Sequence, residues 1–400
     1  MTIDEQLKFL TARHVDLVSG AELKKKLEAA AKEKRPLRIK LGADPSAPDI
    51  HLGHVVVLNK LREFQELGHT VVFIIGDFTG MIGDPSGKSA TRPALSREQV
   101  VANAETYKHQ IFSVLDPAKT EIRFNSEWFG EMKFDEVIRL AAKVTVAQLL
   151  ARDDFSKRYA ENRPISLVEF LYPLVQAYDS IMVNADLELG GTDQLFNLLL
   201  GREMQKAHGM EPQVVMTMPL LEGLDGAQKM SKSLGNYVGV NDSAKDIFGK
   251  LMSVSDELMW KYFFYVLCRD PKEIEAMQTK VNSGELHPRA VKDELAQAVT
   301  DRFAGAGEGR KASEEFARVF AQKEIPDDIP EMKLAGETGL LELIVKAGFA
   351  PSNGEARRLI QQGGVTINDE KISDVKTIIT PGAEQILKVG KRKFLRILMK

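Results

Sequence analysis

Two short stretches, far apart in the chain, carry side chains suited to concentrated negative charge. His51-Leu52-Gly53-His54 sets two imidazoles around a glycine. Lys229-Met230-Ser231-Lys232-Ser233 sets two ammonium groups and two hydroxyls in a run flanked by Gly226 and Gly235. Such N–H donors suit a polyphosphate whose charge changes as it reacts. An exposed basic loop would share the second composition, and both readings stand on residues alone. A metal bound by the histidines would need a third ligand, and none is apparent nearby.

Further candidates lie between and beyond them. Gly83-Asp84-Pro85-Ser86-Gly87-Lys88-Ser89 approaches a P-loop but has Ile82 where that loop needs glycine, so γ-phosphate chemistry is not implied. Lys88 and Arg92 read as ligand contacts on a loop past a strand end, where open α/β sheets bind ligands, against the bland alternative of a solvated loop. Tyr172, Gln176 and Asp179 share one helical face among Phe170, Leu171, Leu174 and Val175. That stripe is either a solvent face or a pocket lined by one phenol, one amide and one carboxylate. Gly190-Gly191-Thr192-Asp193-Gln194 is a glycine turn that lets backbone approach a ligand, with a carboxylate for ribose hydroxyls.

The elements that must position these groups read as α/β. Leu37–Gly42 alternates apolar residues and reads as a buried strand. The prolines at 45 and 48 make a turn, and Val55, Leu58, Leu61 and Phe64 recur at helical spacing up to Gly68. His51 and His54 thereby fall at a helix N-terminus, where free N–H groups and the helix dipole favour anions. Thr70–Ile75, almost wholly apolar, closes a βαβ unit. Glu121–Phe124 and Gln213–Met218 read as further strands, the latter the last of the sheet. Ser166-Leu167-Val168-Glu169 has the form of a capping box. Residues 1–36 and 243–325 read as helical, and 323–330 as a linker. The fold expected is a Rossmann-like parallel-sheet domain over 1–222 with a helical insertion. A helical domain over 223–330 and a small α+β domain over 337–400 follow it.

Composition narrows the class. Apolar residues make up 44% of the chain and charged residues 28%, which is ordinary for a globular protein. No apolar run reaches membrane-spanning length and no export signal opens the chain, so a cytoplasmic location is expected. Cys268 is the only cysteine, which excludes an internal disulfide and a Cys-rich zinc site. The net charge of −3 hides an asymmetry: residues 336–400 carry 11 Lys/Arg against 7 Asp/Glu, leaving the preceding body at −7. A basic end on an acidic body points to nucleic acid, with solubilising charge as the alternative.

Taken together, these motifs resemble those of class I aminoacyl-tRNA synthetases. His51-Leu52-Gly53-His54 is similar to their HIGH motif, and Lys229–Ser233 reads KMSKS letter for letter, about 175 residues further on. Asp84 in its loop, the polar helical stripe and Gly-Gly-Thr-Asp-Gln resemble the bacterial tyrosyl-tRNA synthetases within that class. The C-terminal segment resembles the S4 RNA-binding domain those enzymes carry. The resemblance implies a tyrosine--tRNA ligase. In it, His51, His54, Lys229, Lys232 and Ser233 act on the phosphates. Asp84, Tyr172, Gln176, Asp179 and Gln194 bind tyrosine. Gly42, Asp44, Gly53, Lys88, Arg92, Gly191, Asp193 and Met230 join the histidines and the loop in holding ATP. Arg357, Arg358, Lys391, Arg392 and Lys393 contact RNA. It further implies tRNA(Tyr), L-tyrosine and ATP as partners, magnesium carried by ATP, and a homodimer. Two departures are plain: Lys40 and Leu195 stand where relatives place a tyrosine and a tryptophan. Alternatives are a tryptophan-specific enzyme of the same fold, a small-molecule adenylyltransferase, and an inactive RNA-binding relative.

Overall fold

The computed structural model describes residues 1–45, 49–84, 97–321, 329–334, 336–368, 370–379, 385–390 and 393–399. The chain forms two compact units, Met1–Gly309 and Arg310–Lys400. No helix among the described residues is long and apolar enough to cross a membrane.

A six-stranded sheet organises the first unit. Its strands are β1 (Leu17–Val18), β2 (Arg38–Ala43), β3 (Thr70–Ile75), β4 (Thr120–Phe124), β5 (Leu187–Gly191) and β6 (Val214–Met218). They lie in the order β1-β6-β5-β2-β3-β4, and all but β1 run parallel. β3 and β6 are buried along nearly their whole length, as continuous apolar runs in a parallel sheet should be. From β2 the chain moves to β3 on one side, whereas from β5 it moves to β6 on the other. The order therefore reverses between β2 and β5, the place where open α/β sheets leave a crevice at the strands' carboxyl ends.

The helix Leu52–Glu66 joins β2 to β3 and buries Leu52, Val55, Leu58, Leu61 and Phe64. Leu167–Met182 and Leu195–Ala207 pack together through Leu174, Ala177, Leu200 and Met204. Ser166 opens the former as expected, its N–H donating to Glu169 Oε1 at 2.9 Å. Residues 1–36 differ from the all-helical expectation. Between helices Ile3–Leu10 and Gly20–Glu33, β1 pairs antiparallel with β6. Val15 N–H donates to Thr217 O at 2.9 Å and Thr217 N–H to Asp16 O at 3.0 Å. β6 is thus not the border of the sheet: β1 supplies partners to the backbone groups a free edge would leave open.

Helices Ala244–Met252, Asp256–Tyr265, Pro271–Asn282 and Pro288–Ala304 complete the first unit. They are tied to the Leu52–Glu66 helix by polar side chains. Asn59 Nδ2 donates to the carbonyls of Tyr265 and Val266, both at 2.9 Å, while Arg302 Nη2 donates to Asn59 Oδ1 at 2.7 Å. At the next residue, buried Lys60 donates to Leu10 O at 3.0 Å and Ala12 O at 2.6 Å and pairs with Glu63. Arg13 bridges Glu63 at 3.2 Å to Cys268 O at 2.9 Å.

In the second unit, β7 (Glu331–Leu334), β8 (Thr338–Gly339), β9 (Val365–Ile367), β10 (Glu370–Lys371), β11 (Ile378–Ile379), β12 (Gln385–Val389) and β13 (Lys393–Met399) form two sheets. One has the order β10-β9-β12-β13-β7, and β8 pairs with β11. Helices Leu340–Lys346 and Asn353–Gln361 cover a core of Leu340, Leu343, Ile344, Ile360, Val365, Leu387 and Ile397. The 323–330 linker falls mostly outside the described residues.

Removing one member of a buried ion pair strands the other's charge, at a cost of about 3–5 kcal/mol. Glu63→Ala is therefore expected to lower the unfolding free energy by that order, seen as a lower denaturant midpoint with unchanged m in titrations followed by circular dichroism. An unchanged midpoint would show that Lys60 is satisfied by its two carbonyls alone.

Candidate active site

The carboxyl ends of β2, β3 and β5 open into a cleft of about 650 Å³. Gly42, Ala43 and Asp44 come from β2 and its exit, and Gly190, Gly191, Asp193 and Gln194 from β5 and the turn after it. His51, Gly53 and His54 come from the start of the Leu52–Glu66 helix, and Tyr172, Gln176 and Asp179 from the Leu167–Met182 helix. Lys229, Met230, Ser231, Lys232 and Ser233 complete the lining, with Asp84 from the loop after β3.

The two distant motifs meet through backbone as well as side chains. Leu52 N–H donates to Val238 O and Val240 N–H to Ile50 O, both at 3.0 Å, so the chain leaving the Lys229–Ser233 loop pairs directly with the His51 segment. Lys229 Nζ lies 2.9 Å from Asp193 Oδ2, and Lys232 Nζ 3.3 Å from Asp49 Oδ2. Asn236 holds the loop's shape by accepting from Ser231 N–H at 2.8 Å and donating to Asp225 Oδ2 at 2.8 Å. Gly53 keeps the approach close: a Cβ there would lie 3.0 Å from the His51 ring, which would have to give by a few tenths of an ångström, and 3.5 Å from Met230 Cβ.

The imidazoles stand 3.9 Å apart between ring centroids, and His51 N–H donates to His54 Nδ1 at 3.2 Å. Burial, then the neighbouring His54 and Lys232, push the His51 pKa down to about 2. His51 is therefore a neutral ring at physiological pH, able to donate one N–H without bringing a charge. Its buried Nδ1 has no hydrogen-bond partner among the described residues. Burial also lowers the Lys232 pKa, with Asp49 opposing.

The polar stripe faces the cleft and not solvent. Tyr172 O–H donates to Asp44 Oδ2 at 2.8 Å, and Asp44 Oδ1 accepts from Thr79 Oγ1 at 2.6 Å. Burial and then Asp44 and Asp84 raise the Tyr172 pKa well above the ordinary phenol value, so this ring stays protonated as a donor. Gln194 Nε2 donates to Asp84 Oδ2 at 3.1 Å, and Asn197 Nδ2 donates to both Gln176 Oε1 and Gln194 Oε1, at 3.1 and 3.0 Å. Asp179 Oδ1 accepts from Trp128 Nε1 at 2.9 Å. Burial pushes the Asp179 pKa up to about 7, against the opposing pull of Lys40, Trp128 and Asn125.

Several supporting residues escaped sequence reasoning. Trp128 and Asn125 follow β4, and Asn197 lies on the helix after the glycine turn; each reaches the site only through tertiary contacts. A polar residue next to the Gly-Gly-Thr-Asp-Gln turn was the available signal for Asn197. Lys88 and Arg92 lie outside the described residues, as do Lys391 and Arg392. Arg357, Arg358 and Lys393 are exposed on the second unit, Arg358 paired with Glu355 and Lys393 donating to Phe349 O at 2.6 Å.

Comparison with known proteins places the chain in a family. Residues 32–321 match the family model of tRNA synthetases class I (W and Y). The chain belongs to that family. Residues 321–397 match the model described as the tyrosine--tRNA ligase SYY-like C-terminal domain. The tyrosine--tRNA ligase of Oleidesulfovibrio alaskensis is 54% identical over 402 residues, covering 100% of both chains. That of Thermotoga maritima is 53% identical over 397 residues, covering 99% of this chain and 98% of its own. Within the family, then, the chain stands with the tyrosine--tRNA ligases. Among solved structures, tyrosyl-tRNA synthetase complexed with L-tyrosine from Archaeoglobus fulgidus superposes with a TM-score of 0.63 at 25% identity, covering 78% of this chain and 99% of that one.

The Asp179 pKa also makes a statement about stability. A carboxyl whose pKa rises on folding contributes stability that is fully present below its unfolded value, about 3.9, and is lost as pH climbs through the folded one. Compared with Asp179→Asn, the native protein is expected to lose stability between about pH 4 and pH 7 and to level off above, in denaturant titrations. Parallel pH profiles of the two proteins would contradict a buried, raised Asp179.

Proposed function

We propose that the chain activates L-tyrosine with ATP to tyrosyl-adenylate and pyrophosphate, then transfers the tyrosyl group to the 3′ end of tRNA(Tyr). The observation that carries this reading is the convergence of His51, His54, Lys229 and Lys232 on a cleft whose other wall is the Tyr172–Asp179 stripe. The tyrosine carboxylate is already a nucleophile, so its attack on the α-phosphorus needs no covalent enzyme intermediate. The P–O bond to pyrophosphate breaks as the new bond forms, and negative charge builds on the α-phosphate and the leaving group. Neutral imidazole N–H donors and loop ammonium groups stabilise that charge in place.

The remaining roles follow from the groups each residue presents. Asp179, held by Trp128, accepts the substrate phenol proton as a carboxylate; phenylalanine would leave that acceptor unpaired in a buried site. Tyr172, Gln176, Asp84 and Gln194 bracket the substrate ammonium. Gly191 and Asp193 meet the ribose, Gly42, Asp44, Gly53 and Met230 line the nucleotide's path, and Ser233 follows Lys232 onto the phosphates. Lys88 and Arg92 join them as phosphate contacts. Lys229 and Lys232 exchange Asp193 and Asp49 for phosphate oxygens when ATP enters.

Among the described residues no cluster of three or more His, Cys, Asp or Glu could hold a metal ion. Magnesium would accordingly arrive on the phosphates of ATP and add positive charge there. Arg357, Arg358, Lys391, Arg392 and Lys393, within the proposed domain 337–400, would contact tRNA phosphates, with the helical residues of 223–330 contributing. A homodimer is supported by Phe134, Ile138, Val146 and Leu167, all highly exposed apolar side chains, three of them on the mutually packed helices Phe134–Ala141 and Leu167–Met182. A cytoplasmic setting fits these substrates.

Lys232→Ala is expected to slow tyrosine-dependent pyrophosphate exchange by about 10²–10³ in kcat while tyrosine binding stays near native. Equal losses in both would speak against a transition-state role. Deleting residues 337–400 is expected to spare pyrophosphate exchange and to abolish most tRNA charging, measured by acid-stable label on tRNA. Full charging by the truncated protein would remove the RNA role of that domain.

A further inference from the structure

A lysine and a glutamate sit side by side in the middle of the sheet, which is where charge is most costly. Lys40 on β2 is directly opposite Glu188 on β5, at the point where the strand order reverses. Neither side chain is exposed beyond 1%, and Lys40 Nζ lies 2.8 Å from Glu188 Oε1. Successive strand residues face opposite sides of a sheet. Lys40 accordingly points away from the Leu52–Glu66 helix and toward Leu167–Met182, where its Nζ donates to Gln176 O at 2.9 Å and Ser180 Oγ at 2.7 Å. Ser180 Oγ in turn donates to Glu188 Oε2 at 3.0 Å, an oxygen that also accepts from Gln213 Nε2.

These bonds grip one helical turn, residues 176 to 180, and that turn carries Gln176 and Asp179 into the cleft. We propose that Lys40, held by Glu188, is a positioning residue for tyrosine recognition, pinning this turn to β2 and β5 and so fixing where Gln176 and Asp179 meet the substrate. The inference rests on the reading of Asp179 as the phenol acceptor. A helix packed by apolar contacts alone could slide or rotate slightly; a cation bonded at both ends of a single turn resists both. A hydrophobic pair of similar volume would bury at lower cost, so nothing in sheet packing calls for this pair.

The Lys40 charge has a second effect. Around Asp179 stand Lys40 from β2, Glu188 from β5, Trp128 and Asn125 from beyond β4, and Tyr172 on its own helix, with Asp44 and Asp84 beyond the Tyr172 hydroxyl. Lys40 is the only cation in that set. It favours the carboxylate form of Asp179 more strongly than Glu188 opposes it. Lys40 thus shifts Asp179 toward the carboxylate form, the acceptor for the phenol proton.

The test uses the full-length protein and the double variant Lys40→Met/Glu188→Gln, which removes the pair without stranding a buried charge. Pyrophosphate exchange is measured against tyrosine, phenylalanine and ATP from pH 5.5 to 9. The tyrosine KM is expected to rise about tenfold to a hundredfold, the range for lost charge-assisted hydrogen bonds, with the ATP KM near native. The acidic limb of the tyrosine kcat/KM profile is expected to move to higher pH. Ser180→Ala keeps both charges and loses one tether, so its tyrosine KM should rise roughly threefold to tenfold with the limb unmoved. A native tyrosine KM and limb in the double variant would overturn the proposal, as would a parallel rise in the ATP KM, the mark of general damage. Should the double variant not fold, Ser180→Ala decides, and a native tyrosine KM there is the overturning result. Asp179→Asn serves as the control. An unaltered preference for tyrosine over phenylalanine in that variant would refute the reading of the site, whereas a silent double variant beside a responsive Asp179→Asn refutes the role of Lys40 alone.

Discussion

Crossovers between parallel strands are right-handed, so a chain moving from β2 to β3 in one direction and from β5 to β6 in the other must send its helices to opposite faces of the sheet. No helix can then cover the gap between β2 and β5 at their carboxyl ends. The crevice that results is where each proposed functional feature of the first unit gathers. The His51–His54 turn is the first turn of the helix leaving β2, Gly190–Gln194 is the exit of β5, and Leu167–Met182 runs into β5 from behind. The Lys229–Ser233 loop reaches the same place because its following residues, Val238 to Val240, are paired by backbone bonds to Ile50 and Leu52.

Charge is divided within this crevice. Anion-seeking groups, the two imidazoles and the two loop lysines, occupy one wall. Carboxylates and amides, Asp44, Asp84, Gln176, Asp179 and Gln194, occupy the other. Burial sets their protonation: His51 is held neutral and Tyr172 protonated, while Asp179 is brought to the edge of ionisation. An amino acid with a phenol at one end and an activated carboxyl at the other would span the two walls. Lys40 and Glu188, just beneath, tie the second wall to the sheet.

Much of this was legible in the sequence because it depends on local pattern. Alternation and apolar runs gave β2, β3, β4 and β6; the spacing of Val55, Leu58, Leu61 and Phe64 gave the helix; two motifs gave the imidazole and ammonium groups that converge on the cleft. The polar stripe was ambiguous because helical periodicity says which residues share a face but not what that face meets. Trp128, Asn125 and Asn197 were invisible for a related reason, since each reaches the cleft from an element whose placement depends on long-range packing. β1 escaped because two residues carry too little pattern to separate them from a helical arm. Lys40 was noticed only as a departure, its partner lying 148 positions further on at Glu188.

A crystal structure of the full chain with a non-reactive tyrosyl-adenylate analogue tests the convergence most directly. The phenol is expected on Asp179 and the ribose at Gly191 and Asp193. The phosphate mimic is expected between the His51–His54 turn and the Lys229–Ser233 loop. An analogue bound outside this cleft, or bound within it with its phosphate mimic turned away from both motifs, would contradict the central claim.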